Sequence, residues 1–353
     1  MKLIIPTFNR SAKLVRTLEC YCLGDYNIRN IVVLDGSNNE HRIINEENCN
    51  RLGFEYLSYN PILDFNERLH SYLTSKCSAE LVCLGTDEDV FCSSYISESE
   101  KFLSENTDYS SFIGRYITLG TPLLGLTRLI YARDHITSLD LSHDDPTRRL
   151  LALMNAILVG CSPLHWSVKR RSQLIKILES QKEIKLKYGG TNEMINQVYL
   201  SLIGKIKFVK EPMLLRDETN IGYKATEDRH IPNIFEALLD FKKLKNKVLA
   251  DFNIKNLEFA LNLLEDRLTP LDTNIPDSQS LSLARHSRYY SAYEDFDGQN
   301  ILFGKIVRVI AKIGLVISEV IAWQFAYRQL KLIVGRKVIN KFCKSIPTHA
   351  LFK

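Results

Sequence analysis

The stretch LVCLGTDEDVF, residues 81–91, joins an apolar run to three consecutive acids, Asp87, Glu88 and Asp89. The apolar run predicts a short buried strand. Acids placed this close together repel one another, and the end of a strand has no need of them. They either hold a cation, or they solubilise a loop and cap the helix behind it.

Strands and helices alternate in the chain upstream of this stretch. Buried strands are predicted over residues 2–5 and 31–34, and a short strand over FEYLSY, residues 54–59. Pro6 is expected to end the first strand and Ser11 to cap the first helix. Helices are predicted between the strands, over residues 12–21, 39–51 and 64–75. This alternation predicts an α/β fold with a mostly parallel, doubly wound sheet flanked by helices.

Polar residues follow three of the predicted strands, at the point where each strand ends. They occupy residues 7–10, 35–37 and 87–89. In doubly wound sheets, ligands bind beyond the carboxyl ends of the strands. We therefore expect these three clusters to form one ligand site at a single edge of the sheet.

The pattern becomes mixed further along the chain. A strand is predicted over residues 111–119, helices over 144–160 and 189–204, and a strand with an exit loop over 205–218. From residue 226 the chain reads as helical and charged. Its length of 353 residues accommodates two domains. We predict an α/β domain over residues 1–225 and a C-terminal helical extension over residues 226–353.

The C-terminal tail, residues 301–345, carries a charge of its own. The chain has a net charge of +5, but residues 301–353 contain ten Lys or Arg and one acid, which leaves −4 for the first 300 residues. Lys305, Arg308, Lys312 and Glu319 recur at helical spacing within an apolar segment. Charged residues along one side are compatible with a helix that lies in the membrane surface, but not with a helix that spans the membrane. The tail could equally be a core-packed helix or a contact between two copies of the chain.

The cysteines and the N-terminus predict the compartment. The eight cysteines form no CxxC pair, which argues against a zinc ribbon. Several lie in apolar surroundings, which predicts buried free thiols in a reducing compartment. The N-terminal sequence lacks the pattern of a secretory signal. We therefore expect a cytoplasmic protein, peripheral on the inner face of the cytoplasmic membrane if the tail binds lipid.

Seven short motifs characterise the first 220 residues: IIPTFNR (4–10), VVLDGS (32–37), TDEDVF (86–91), IGRY (113–116), DPTRRLLALM (145–154), HWSVKR (165–170) and TNEMINQVYLSLIGKIKFVKEPMLLRDE (191–218). In this order they resemble nucleotide-sugar-dependent glycosyltransferases of the GT-A fold, close to family 2. They are most similar to a bacterial branch associated with surface polysaccharides such as capsule or O-antigen. The resemblance implies metal-assisted, inverting transfer of a sugar from a nucleotide-diphosphate donor to a glycan or lipid-linked glycan acceptor.

The resemblance places a metal motif at the three acids. Asp87 and Asp89 lie two residues apart, and side chains two apart in an extended chain point the same way. Both could then face one divalent cation, Mn²⁺ or Mg²⁺, while Glu88 points outward. Carboxylate oxygens are the ligands that such cations prefer. The alternative is a solvated acidic turn that caps the helix near residues 93–102.

The resemblance also assigns donor binding to residues at the strand ends. These residues are Pro6, Thr7, Phe8, Asn9, Arg10, Asp35, Asp87, Glu88 and Arg216. Asp35 would accept a hydrogen bond from the base or the ribose, and Arg216 would donate to diphosphate oxygens. The alternatives are an ordinary turn at Arg10, an Asp-Gly turn former at Asp35 and a surface charge at Arg216.

An inverting transfer needs a base for the proton of the acceptor hydroxyl. Glu193 is the catalytic candidate, because it is the acid that the family position offers, and it is expected in the first turn of its helix. The alternative is an acid placed favourably near a helix N-terminus. Asp144 and Asp145 are reserve candidates. His165, next to Trp166, is expected to be a packed side chain.

The sequence departs from the family 2 pattern at two positions. The turn after the second strand has the single acid Asp35, where the family often has two, which weakens the assignment of a nucleobase contact. The helix of Glu193 lacks the Glu-Asp pair of many relatives, which leaves open which residue is the catalytic base.

Two other functions stay open at this point. A nucleotidyltransferase shares the sheet and the metal chemistry, but it usually has a glycine-rich loop after the first strand, and TFNRSAK (7–13) contains no glycine. A membrane-associated scaffold with a degenerate transferase domain needs no donor. Nucleic-acid binding is disfavoured, because the basic residues lie on an apolar tail and not in a groove with interleaved aromatic residues.

Overall fold

The computed structural model describes residues 1–120, 128–131, 141–158, 163–186, 189–218 and 234–268. Strands and α-helices follow one another along these ranges, close to where the sequence predicts them. In chain order they are β1 Lys2–Thr7, α1 Ser11–Leu23, β2 Ile31–Asp35, α2 Asn39–Leu52, β3 Glu55–Ser58, α3 Phe65–Ser75, β4 Leu81–Leu84, β5 Val90–Phe91, α4 Ser93–Glu105, β6 Tyr109–Gly120, β7 Arg128–Tyr131, α5 Pro146–Leu158, β8 Val168–Arg170, α6 Arg171–Ile184, α7 Gly189–Ile203, β9 Lys205–Glu218, α8 Ile234–Asp251 and α9 Leu257–Leu268.

The first strands are apolar on both faces because helices cover the sheet on both sides. Successive residues of β1 alternate between two hydrophobic cores: Leu3 and Ile5 lie in the larger core, and Ile4 lies in the smaller one. Residues of β2 and β4 alternate in the same way. Neighbouring side chains of a strand point to opposite faces, so a doubly covered strand requires an unbroken apolar run.

The strands form one sheet in the order β3-β2-β1-β4-β8-β6-β9-β5, with β7 paired to β6. β1 pairs in parallel with β2 and β4, and β2 pairs in parallel with β3. In the other half, β8 is antiparallel to β4 and β6, and β5 is antiparallel to β9, whereas β6 and β9 are parallel. The predicted α/β fold with flanking helices is confirmed, and the sheet as a whole is mixed.

Two local predictions near the first strand are wrong. Pro6 does not end β1. The register of β4 on β1 stops at Ile4, so Pro6 has a strand partner on the β2 side alone, and a residue without an N–H is tolerated at such a position. Ser11 does not cap α1 either, because the helix begins at Ser11 itself and the Ser11 hydroxyl contacts His41 Nδ1.

The N-terminus of α3 forms from a local sequence signal. Asp64 Oδ1 accepts the N–H of Glu67 at 2.8 Å, and Glu67 Oε2 accepts the N–H of Asp64 at 3.2 Å. This capping box satisfies two backbone donors that the first turn of a helix leaves unpaired. It fixes the start of α3 beyond the end of β3, on the side of the sheet where the ligand site is expected.

Helices α8 and α9 pack on the same core as the sheet. Phe241, Leu244 and Leu261 lie in the larger hydrophobic core. The Thr147 hydroxyl on α5 donates to the carbonyl oxygen of Lys255, between α8 and α9, at 3.1 Å. The predicted tail, residues 301–345, lies outside the described residues, so its predictions remain open.

The state of the cysteines and the length and polarity of the helices bear on the predicted compartment. No disulfide joins the six cysteines that the structure describes, and five of the six are buried. Within the described ranges, every helix is too short or too polar to cross a membrane.

Candidate functional site

The carboxyl ends of β1, β2 and β4 meet at one edge of the sheet, as the sequence predicts. The parallel register places Thr7, the last residue of β1, opposite Asp35, the last residue of β2. On the other side of β1, the Thr7 hydroxyl donates to Asp87 Oδ2 at 2.9 Å. The three polar clusters therefore form one continuous site.

The acids after β4 lie in a tight turn, residues 86–89, which we name the acidic turn. Thr86 Oγ1 accepts the N–H of Glu88 at 3.2 Å and the N–H of Asp89 at 2.9 Å. Such bonds from backbone N–H groups to a side-chain hydroxyl oxygen stabilise a turn in place of a strand ladder. The assumption that the acids continue an extended strand is therefore wrong, because they lie between the end of β4 and the start of β5.

The outer two acids of the turn are buried. Asp87 and Asp89 are each 4% exposed. The carboxylate of Asp87 accepts from Thr7 on one oxygen and from Arg10 Nη1, at 3.0 Å, on the other. Burial raises the pKa of Asp87 to about 6, although Arg10 and Thr7 both oppose the rise. The buried carboxylate would therefore be stabilised by additional positive charge.

Two cations, Arg10 directly before α1 and Lys13 within it, pair with the middle acid of the turn. Arg10 and Lys13 both contact the carboxylate of Glu88. The side chain of Glu88 is 15% exposed, so these contacts are partly shielded from water. The prediction that Glu88 points outward is wrong, because it faces α1 and shares the Arg10 guanidinium with Asp87.

Helix α1 also holds the backbone of the acidic turn. Arg16 Nη2 donates to the carbonyl oxygen of Glu88 at 2.9 Å, and Thr17 Oγ1 donates to the carbonyl oxygen of Asp87 at 3.0 Å. We did not predict these two residues or Lys13 from the sequence. The available signal was their spacing, since residues three and four positions after Lys13 lie on its side of the helix.

Asp35 is fully buried at the end of β2. Its Oδ1 accepts the N–H of Ser37 at 2.7 Å, and its Oδ2 accepts from Asn45 Nδ2 and from the Tyr56 hydroxyl at 2.8 Å each. These bonds fix the loop after β2 to α2 and β3. Asp35 therefore organises this side of the site, and a direct contact with a nucleotide stays a prediction.

A buried arginine that the sequence analysis did not single out lies beneath the same loop. Arg68 of α3 is 6% exposed, and its Nη1 is 3.4 Å from the carbonyl oxygen of Thr7. Burial lowers the pKa of Arg68, and the charge of Asp35 opposes this. A Cβ on Gly36 would lie 1.5 Å from Arg68 Nη1, so only glycine leaves room for the guanidinium. The signal in the sequence was an arginine beside Leu69, on the apolar side of α3.

The loop after β1 is joined to the loop after β2. The N–H of Asn9 donates to Ser37 Oγ at 2.8 Å, and the N–H of Asn38 donates to Asn9 Oδ1 at 2.9 Å. Asn9 adopts a left-handed backbone with φ of 54°, which Asn tolerates better than most residues. The ring of Phe8, one residue earlier, is 49% exposed at this edge.

Strand β9 supplies the far side of the acidic turn. Val90 of β5 pairs with Leu215 of β9 in antiparallel register. Because the two strands are antiparallel, Arg216, the residue after Leu215, lies at the end of β5 that the acidic turn precedes. The structure thus brings the predicted Arg216 to the acidic turn.

Helix α7 begins at Gly189, as predicted, so Glu193 is its fifth residue and lies in the second turn, not in the first turn where we expected it. Asn196 follows three residues later, on the same side of the helix. Its Nδ2 is 3.3 Å from His165 Nδ1. The side of α7 that carries Glu193 therefore packs toward His165.

His165 connects this side of α7 with Arg216. Its ring meets that of Trp166 edge to face, with centroids 4.5 Å apart. Burial lowers the pKa of His165 to about 3, and the positive charges of Lys169 and Arg216 act in the same direction. His165 is therefore neutral at physiological pH. Asn196 thus joins this side of α7 to His165, whose pKa the charge of Arg216 also lowers.

The reserve acids lie elsewhere. Asp144 Oδ1 pairs at 2.7 Å with Lys205, the first residue of β9, whereas Arg216 is near the other end of that strand. Asp145 Oδ1 accepts the N–H of Thr147 at 2.9 Å at the start of α5. These two acids cannot serve as a base for chemistry at the acidic turn.

The acidic turn offers a partial ligand set for a metal. Within the part of the chain that the structure describes, no three His, Cys, Asp or Glu side chains converge on a metal position. The buried carboxylates of Asp87 and Asp89 suit Mg²⁺ or Mn²⁺, and Mg²⁺ is commonly held by one or two carboxylates together with phosphate oxygens and water. Burial raises the pKa of Asp87, so a cation beside it would stabilise the carboxylate. These residues therefore fit a cation whose remaining ligands a bound phosphate would supply.

Two solved structures of the glycosyltransferase TarS from S. aureus have a similar fold. One matches with a TM-score of 0.50 and 15% identity over 84% of this chain, and TarS 1–349 matches with a TM-score of 0.50 and 13% identity over 98% of it. The chain spans 48% of the longer TarS structure and 81% of the shorter one. At this identity the likeness shows the fold alone. No protein-family model and no curated protein matches the sequence.

Proposed function

We propose that this chain is a glycosyltransferase that moves a sugar from a nucleotide-diphosphate donor to a glycan or lipid-linked glycan acceptor of a bacterial surface polysaccharide. The transfer is metal-assisted and inverts the anomeric carbon. The observation that carries the proposal is the convergence of Thr7, Asp35 and the buried Asp87 at one edge of the sheet. A sheet of this kind is shared with TarS, a glycosyltransferase.

The donor's diphosphate would lie against the acidic turn. As the leaving group it gains negative charge, which needs positive charge placed in advance. Arg10 on one side and Arg216 on the other would supply positive charge. Asp87 and Asp89 would hold a divalent cation, which when bound neutralises charge on the diphosphate.

The nucleoside would lie on the joined loops after β1 and β2. The exposed ring of Phe8 offers a flat apolar surface for a base. Pro6 and Asn9 give this part of the backbone a fixed conformation around that ring. Asp35 and Arg68 support the loops from beneath, where they are buried.

Glu193 would accept the proton of the acceptor hydroxyl. It is partly buried, and its side of α7 packs toward His165, which lies near Arg216. His165 stays neutral and does not compete for the proton. This arrangement would place the carboxylate across the sugar from the diphosphate, as inversion requires.

A donor screen tests the proposal. Purified protein is incubated with nucleotide sugars and Mn²⁺ or Mg²⁺, and the release of free nucleoside diphosphate is measured. We expect release from at least one donor, and a loss of at least about a hundredfold in Asp87→Asn and Asp89→Asn, the size of effect expected when an electrostatic contact to the leaving group is removed. Glu98→Gln, an exposed acid on α4, is the matched control and should keep the wild-type rate.

Other products would point elsewhere. In a parallel incubation with a nucleoside triphosphate and a sugar 1-phosphate, release of pyrophosphate would identify a nucleotidyltransferase. Failure to bind UDP, GDP or CMP with Mn²⁺ would favour a scaffold with a degenerate transferase domain. Undiminished transfer by the Asp87 and Asp89 variants would contradict the metal role of the acidic turn.

A further inference from the structure

We propose that Glu88 is an internal competitor of the donor's diphosphate, and that it makes diphosphate binding depend on the accompanying cation. The inference rests on the proposed function, because it concerns the same site. It assigns Arg10 and Lys13 as diphosphate ligands that Glu88 occupies while no donor is bound. We name these three residues the Glu88 cluster.

The contacts of the Glu88 cluster show which partner can move. Glu88 is anchored through its backbone, since Arg16 Nη2 donates to its carbonyl oxygen at 2.9 Å and Thr86 Oγ1 accepts its N–H at 3.2 Å. Arg10 and Lys13 reach its carboxylate with the ends of long side chains. Such side chains can turn to another anion without moving the backbone. The backbone of Glu88 therefore stays in the turn while the ends of the two cationic side chains can be exchanged.

The position of the cluster suits a diphosphate. Arg10 contacts both Glu88 and the buried Asp87, so its guanidinium already lies at the acid proposed to hold the cation. The side chains of Arg10 and Lys13 are 33% and 23% exposed, which leaves both accessible to a ligand that approaches the sheet edge. A phosphate that replaces the carboxylate of Glu88 would meet the same donors with similar geometry.

The charges of this region explain the dependence on a cation. Arg10 pairs with Asp87 and Glu88, Lys13 pairs with Glu88, and Arg16 donates to the backbone of Glu88. A diphosphate that binds alone must draw two of these cations away from Glu88, and a partly buried acid without a counter-charge is unfavourable. A divalent cation that enters with the diphosphate returns the missing positive charge to the acids.

Thermodynamic linkage turns this exchange into a measurable quantity. If the cation strengthens diphosphate binding by some factor, the diphosphate strengthens cation binding by the same factor. Removing the charge of Glu88 should therefore strengthen the binding of diphosphate alone and reduce the gain that the cation provides. If the ion pairs of Glu88 only supported the fold, removing its charge would neither strengthen metal-free diphosphate binding nor reduce the gain from the cation.

The test is the titration of inorganic pyrophosphate into the whole chain, with no metal and with excess Mg²⁺. Wild type is compared with Glu88→Gln and with the control Glu98→Gln. Without metal, we expect Glu88→Gln to bind pyrophosphate about tenfold more tightly than wild type, the effect of one hydrogen bond to a charged group, and to gain less from Mg²⁺. Glu98→Gln should behave as wild type. In a Lys13→Gln background, the gain from Glu88→Gln should shrink, because one of the released cations is absent.

Three outcomes would overturn parts of this account. The competitor role is overturned if Glu88→Gln binds pyrophosphate without metal no more tightly than wild type does. The proposed function is unaffected by that result if wild type binds a nucleoside diphosphate with Mg²⁺. A gain that is unchanged in the Lys13→Gln background overturns the assignment of Lys13. Wild type that binds neither pyrophosphate nor any nucleoside diphosphate overturns both proposals.

Discussion

At the scale of single residues, the site is built from carboxylates that the fold keeps out of water. Asp87 and Asp89 were predictable as a pair at a strand end, because the sequence shows both the apolar run and the acids. The contacts of Glu88 were not predictable, since they depend on where two long side chains of another helix come to rest. Residue types predict the chemistry of such a site better than they predict which side chains form ion pairs in it.

The pH dependence of stability tests the burial of Asp87. Its pKa rises from the ordinary value of 3.8 to about 6 in the folded chain, so the folded state binds this proton more tightly than the unfolded state. The stability due to this group is therefore greatest below about pH 4 and is lost as the pH rises to about 6. Across this window, wild type should lose up to about 3 kcal/mol of unfolding free energy relative to Asp87→Asn. Urea unfolding at several pH values measures this, and a constant difference between the two proteins would contradict it.

The close approach of Arg68 to Gly36 predicts a specific mutational coupling. In Gly36→Ala the new methyl group would meet the guanidinium of Arg68, and overpacking of this kind costs about 1–3 kcal/mol. In an Arg68→Ala background the same change should cost less than about 0.5 kcal/mol, because the obstacle is gone. Chemical unfolding of the four proteins measures the coupling. Equal costs in both backgrounds would show that the two residues do not meet.

At the scale of elements, the sequence predicts the longer strands in both halves of the sheet, including β6 and β9, but it does not predict the antiparallel pairings of the short strands. Strands β1 to β4 and helices α1 to α3 follow local periodicity and caps that single segments carry. β5 has two residues and β8 has three, which is too short for any periodic pattern. Their places in the sheet come from antiparallel pairing with distant segments, and so does the position of Arg216 beside the acidic turn.

Helix α1 is expected to hold the acidic turn through Thr17. Thr17→Val keeps the shape of this fully buried side chain but removes the donor to the carbonyl oxygen of Asp87. We expect a loss of about 1–2 kcal/mol in unfolding free energy, together with weaker metal-dependent nucleotide binding. Thr74→Val is the matched control, because its hydroxyl donates to His70 O on an exposed part of α3, and it should change stability by less than about 0.5 kcal/mol. Equal behaviour of the two variants would contradict this role of Thr17.

At the scale of the whole molecule, one core connects the ligand edge with the last described helices. Composition changes near residue 226, which predicted a boundary there, but composition cannot show which side chains are buried together. Phe241 and Leu244 of α8 and Leu261 of α9 lie in the same core as Ile5 and Val90. The described part of α8 and α9 therefore supports the sheet that carries the site.

Truncation tests this dependence. A chain cut after residue 225 loses α8 and α9 and exposes the core surface that they cover, whereas a chain cut after residue 268 keeps every described element. We expect the shorter chain to bind a hydrophobic dye and to unfold without cooperativity, as a loosely packed state does. The longer chain should unfold cooperatively. Identical melting curves for the two chains would show that α8 and α9 contribute nothing to the core.

The central claim is that the acidic turn binds a nucleotide together with a divalent cation. Isothermal titration of UDP, GDP and CMP with Mn²⁺ into wild type and into Asp87→Asn/Asp89→Asn tests it most directly. We expect at least one nucleotide to bind wild type with Mn²⁺, and its affinity to fall at least about tenfold in the double variant, the effect of losing one charged contact. Equal affinity for that nucleotide in both proteins would contradict the claim.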